Sequence, residues 1–229
     1  IDLDSMAVQL QKTFSNNTRR AIENTGLNAI ELEQQLRQTE ELTSRINWIE
    51  LAKKSFVPGI FNSSLINTEA IEDPLQRADL LQILSNTLRE MASLDAATAP
   101  QQEALAIRHR ELGIDHPDTL SSIHNLGLLQ LDQGYELEVQ ASKEKYNEAL
   151  RNFEKAHEGR LSVLGSDHRD TLESTFAIGM VTSRIGEARQ AIDIFRKVLE
   201  SRRRVLGDHD PATLTSMHHL GVMLTSQGD

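Results

Sequence analysis

The chain has no cysteine, so it offers no thiolate nucleophile, thiolate metal site or disulfide. Its candidates for chemistry are eight histidines and scattered serines and carboxylates. His116, His168 and His209 each stand in a separate, similar segment. A metal ion needs ligands that converge, and one histidine per segment does not supply them. His218 and His219 are adjacent and leave a helix on different sides. Turn capping and surface hydrogen bonding account for such histidines, so no metal and no cofactor are expected. Asp118, Ser121, Ser122 and His124 share one helix start and could suggest a hydrolytic triad. Helical spacing puts Ser121 and His124 one turn apart, with no pair of backbone donors facing them. No glycine-rich phosphate loop occurs. The residues point away from an enzyme.

The elements that hold these residues are helical. Hydrophobic residues make up 38% and aromatics only 4%, a balance that leans all-α. The net charge of −10 is spread evenly along the chain. Without a basic face, the chain is not expected to bind nucleic acid. The densest positive run, Arg202-Arg203-Arg204, reads as a solvated helix face beside Glu200 and Asp208. No apolar run is long enough to span a bilayer, and no signal peptide is visible.

Internal similarity organises the chain from residue 74 onward. Leu112-Gly113-Ile114-Asp115-His116-Pro117-Asp118-Thr119-Leu120 recurs as a block beginning at Leu164 and again at Leu206. The last two blocks lie 42 residues apart and the first two 52. The ten extra residues fall at about Tyr135–Glu144, between two helices of one unit, and are expected to lengthen the first of them rather than form a protruding loop, Glu136–Lys145 being rich in helix formers.

Pro117 and Pro211 suit first helical positions, and Asp210 suits an N-cap. A first helix then carries an apolar stripe (Leu120, Ile123, Leu126, Leu129 in one unit), with Gly127, Gly179 and Gly221 as close-contact sites on it. Gly134, Gly186 and Gly228 are expected to close that helix. A second helix buries Ala149, Phe153 and Ala156, or Ala191, Phe195 and Val198. One pair cannot cover its own apolar face, whereas stacked pairs can.

The pattern Leu-Gly-x-Asp-His-Pro-x-Thr-Leu, with Asn125-Leu126-Gly127, Gln133-Gly134 and Lys145-Tyr146-x-Glu148-Ala149-Leu150, resembles the 42-residue tetratricopeptide repeat of the kinesin light chain type. Such repeats also occur in bacterial signalling proteins. The resemblance implies an all-α, right-handed α-α superhelix whose concave face is lined by the first helices and binds protein or peptide. Where that family has paired asparagines, this chain has His124-Asn125, Phe176-Ala177 and His218-His219. The peptide-facing residues expected are His124, Leu128, Phe176, Met180, Arg184, His218 and Val222.

Upstream, Asp73-Pro74 opens a degenerate first helix with Leu80, Leu81, Leu84 and Leu88 apolar. Ala92 stands where glycine is expected, and the second helix is expected to start late, at Pro100. Residues 74–229 thus read as three pairs and a final unpaired first helix. Residues 58–73 read as a linker, and 1–57 as an N-terminal helical extension, a pair serving as cap or coupling segment. Ile1 without a Met, and a stop at Gly228-Asp229, read as a piece of a longer chain. The leading functional expectation is a peptide-binding scaffold. The alternatives are a ligand-sensing segment of a larger, kinase-type signalling protein, and a homo-oligomer formed through the unpaired last helix. A cytoplasmic site is favoured over a periplasmic or extracellular one.

Overall fold

The structure, a computed structural model, describes Lys12 and residues 73–227. The expectations for the N-terminal pair, the linker and Gly228 fall outside the described residues. Between residues 73 and 227 seven helices follow in order: α1 (Pro74–Glu90), α2 (Leu94–Leu112), α3 (Pro117–Glu136), α4 (Val139–Leu164), α5 (Arg169–Ile185), α6 (Ala188–Leu206) and α7 (Pro211–Gln227). The described residues contain no strand. The chain divides into two compact units, residues 1–111 and 112–229.

Side chains at the helix starts satisfy backbone N–H groups that no earlier carbonyl can reach. The N–H of Leu75 donates to Asp73 Oδ1 at 2.9 Å, and that of Ala212 to Asp210 Oδ1 at 2.8 Å. At α3 and α5 the cap is a histidine: Asp118 and Asp170 donate backbone N–H to Nδ1 of His116 and His168, each at 3.2 Å. Prolines occupy the first position of α1, α3 and α7, and Arg169 takes that place in α5. Gly186 ends α5 in the left-handed region at φ 101°. At the same register after α1, Ala92 is forced to φ 57° without glycine's freedom.

In the first unit Ala78, Leu81, Ala104 and Ile107 form the core. Gln82 and Gln101 are buried together, the amide of Gln82 donating to Gln101 Oε1 at 2.6 Å. The second helix does not wait for Pro100. It begins at Leu94 and carries Pro100 inside it, buried.

In the second unit each helix packs on the next, from α3 through α7. A Cβ on Gly127 would meet the Phe153 ring at 2.8 Å, and one on Gly179 would meet Phe195 at 2.9 Å. The same glycine–phenylalanine contact therefore closes both helix pairs. Each fully buried phenylalanine contributes about 1.5–3 kcal/mol of apolar burial.

Gly134 does not end α3. It lies inside the helix, where a Cβ would stand 2.3 Å from the Tyr146 ring. Close approach, not a left-handed turn, is what requires glycine there. The helix continues because the ten inserted residues displace the break to Leu137-Glu138. Most of the insertion lengthens α4, which has 26 residues against 19 in α6. Gly159 makes a further close contact, with Leu120, that the repeat pattern did not announce.

Candidate peptide-binding face

Helices α3, α5 and α7 carry the expected peptide-facing residues, and the structure divides them into buried and accessible sets. His124 and Phe176 are buried, Phe176 to 4% exposure. Their register turns them into the space between helices. Phe176 joins Ala191, Phe195 and Val198 in a core, with its ring 5.4 Å from that of Phe195 and 5.1 Å, edge-on, from His219 of α7. His124 stacks at 5.1 Å on Phe153, and its Nδ1 lies 3.4 Å from Ser174 Oγ. These two side chains build the floor rather than the surface.

Leu128 and Met180 are half-buried, and Val222 is 53% exposed. All three stand one residue after the close-contact glycine of their helix. Leu128 and Met180 pack on one cluster, which includes Leu131, Tyr146 and Phe153. Arg184 is exposed, with its guanidinium 4.6 Å above the Tyr135 ring. His218 and Val222 line a shallow, open depression on α7 with Met217, Gly221, Thr225 and Ser226. Burial holds the His219 imidazole below its usual pKa, and His218 and Arg184 add to the effect.

A second recurring set of side chains lies on α2, α4 and α6. Arg108, Arg160 and Arg202 each stand five residues before a Leu-Gly glycine, and they are only 8%, 4% and 1% exposed. Arg202 is therefore not part of a solvated face. Only Arg203 and Arg204 are exposed, because α6 turns the first residue of the run inward. Nη1 of Arg202 donates to the carbonyl of Ala212 at 2.9 Å and to Ser216 Oγ at 2.8 Å, while Nη2 donates to Glu173. Its guanidinium also lies 4.7 Å from the Phe176 ring centre. Nη1 of Arg160 makes the same two bonds one repeat earlier, to the carbonyl of Asp170 at 3.0 Å and to Ser174 Oγ at 2.8 Å. The recurrence of this arginine was the signal in the sequence. Its charge hid it, since arginine in a helix ordinarily faces water.

Two family models, both for the tetratricopeptide repeat, match residues 77–118 and 138–204 respectively. The matched segments are tetratricopeptide repeats. They are similar to those of the kinesin light chain type. BtubC (BKLC) from P. vanneervenii superposes with a TM-score of 0.60 at 16% identity, covering 100% of this chain and 85% of that one. A Podosopora anserina kinesin light chain structure with nearly identical TPR-like repeats gives 0.54 at 18% identity, covering 96% and 87%. Among curated proteins, the clustered mitochondria protein homolog of Ajellomyces capsulatus (strain NAm1 / WU24) is 26% identical over 122 residues. That match spans 53% of this chain and 9% of the relative. Tetratricopeptide repeats form protein-interaction scaffolds, generally without enzymatic activity. No helix among the described residues of this tetratricopeptide array is long and apolar enough to cross a membrane.

Proposed function

We propose that the chain holds an extended peptide against α3, α5 and α7, at the row formed by Leu128, Met180 and Val222. The observation that carries this reading is the accessibility of three apolar side chains at equivalent positions of alternate helices. Polar and charged side chains flank the row: Ser121 and Asp132 on α3, Glu173 and Arg184 on α5. Apolar contact supplies affinity and the flanking polar groups supply orientation. Arg184, His218 and Val222 are the exposed members of the set, while His124 and Phe176 support it from below.

The test is Leu128→Glu combined with Met180→Glu, assayed against peptides selected from an unbiased library on the unsubstituted chain. Binding is expected to fall at least tenfold while the helical circular dichroism signal is kept. Undiminished binding would remove this face from consideration.

A second reading rests on α7, where Leu214 and Val222 are both more than half exposed. Self-association through this helix predicts a mass that rises with concentration in light scattering and returns to the monomer value in Leu214→Glu.

A further inference from the structure

Two junctions between a first and a second helix stand at equivalent points of the second unit, and they differ. The α5–α6 junction is short: α5 stops at Ile185, Gly186 turns the chain at φ 101°, and α6 begins at Ala188. The α3–α4 junction carries the insertion. α3 has 20 residues against 17 in α5, so that Tyr135 and Glu136 join its last turn, and Leu137 follows in extended conformation. Tyr135 and Leu137 are each 43% exposed. The Tyr135 ring is nonetheless held in place. The Arg184 guanidinium lies over it at 4.6 Å, and the Tyr146 ring meets it edge-on at 6.1 Å. An exposed aromatic side chain that is already ordered loses little entropy on contact, which suits it to anchor an interface.

We propose that Tyr135 and Leu137 form a docking surface for a basic segment of a partner protein, one that presents an apolar residue between lysines or arginines. Charge complementarity selects this occupant. Glu136 and Glu138 flank Leu137 and are exposed, and Glu187 is exposed in the turn that follows Arg184. α3 ends here with no basic residue in its last turn, so its carbonyl end adds negative potential. Of the nearby cations, Arg184 lies on Tyr135 and Lys145 pairs with Glu148 at 2.9 Å. Lys143 and Arg151 lie along α4 beside Glu138 and Glu144, and carboxylates remain in excess. Because Arg184 already lies over the Tyr135 ring, the incoming cations fall to Glu136 and Glu138, and the apolar residue to Tyr135 and Leu137. Two exposed apolar side chains support a transient contact rather than a permanent one. Tyr135 stands two turns beyond Leu128 on the same stripe of α3, but the surface does not depend on the row of Leu128, Met180 and Val222.

The test titrates two pentapeptides into the full chain, one with leucine at its centre and lysine on either side, the other with glutamate in place of lysine. Binding is followed by the amide signals of the protein. The lysine peptide is expected to bind at least tenfold tighter, to shift residues 135–138, and to weaken as salt is added. Glu136→Gln combined with Glu138→Gln is expected to bring the ratio of the two peptides to about one. Tyr135→Ala combined with Leu137→Ala is expected to weaken the lysine peptide at least fivefold while the helical circular dichroism signal is kept. Leu128→Gln combined with Met180→Gln is expected to leave it unchanged. Binding of neither peptide, equal binding of both, or a preference that survives either double substitution at 135–138 overturns the surface and leaves the groove reading standing. Loss of the lysine peptide in Leu128→Gln with Met180→Gln also overturns it, and assigns that peptide to the groove. Failure of the groove reading in its own library test leaves this surface untouched.

Discussion

Two joints of the second unit are built alike and filled differently. At the first, α4 lies between α3 and α5 around Arg160. At the second, α6 lies between α5 and α7 around Arg202. In both, Nη1 binds a carbonyl and a serine of the following helix. In both, a phenylalanine of the second helix sits on a glycine of the first. The group that meets Nη2 differs, a hydroxyl at the first joint and a carboxylate at the second. What repeats sets the register between neighbours, and what varies lies nearest the accessible face.

The largest expected effect tests the shared part. Arg160→Ala and Arg202→Ala each leave a buried hydroxyl and carbonyl unpaired beside a cavity, a loss of about 3 kcal/mol in chemical denaturation. A loss below about 1 kcal/mol at either would show that the arginine does not bind that joint together.

The glycines sharpen the comparison because α7 supplies an open counterpart. Gly127→Ala drives a methyl into the Phe153 ring and is expected to destabilise by about 1–2 kcal/mol, overpacking outweighing helix propensity. Gly221 has nothing within 4 Å of the added carbon. Gly221→Ala is therefore expected to stabilise by up to about 1 kcal/mol. Equal signs in thermal melts would break the contrast drawn between these sites.

The first unit offers the same kind of contrast at a turn. Ala92 bears the left-handed conformation that Gly186 adopts without strain. Ala92→Gly is expected to stabilise by about 1 kcal/mol, read from the denaturation midpoint.

The smallest effect is one of pH. Burial keeps the His219 pKa below its ordinary value of 6.5, so the folded chain favours the neutral ring. The associated stability is present above pH 6.5 and declines as the pH falls below it. Hydrogen exchange in α7 is expected to quicken between pH 7 and 5 relative to α5, and His219→Phe is expected to abolish that difference.

Much of this was legible in the chain itself. Leu-Gly blocks, prolines at helix starts and glycines 42 residues apart specify helices, their order and their mutual contacts, because these depend on local conformation and on periodic small or apolar side chains. Leu128, Met180, Arg184, His218 and Val222 could be picked for accessibility by the same count. His124 and Phe176 could not, since one helical register serves either surface or interface according to how near the next helix lies. The helix formers of the insertion pointed to an extended helix, yet only the structure shows that α3 runs past Gly134 and that most of the insertion lengthens α4. The buried arginines are the clearest case. Sequence placed them at one register, but whether a guanidinium faces water or a neighbour's carbonyl depends on groups distant in the chain, and only the tertiary structure brings those together.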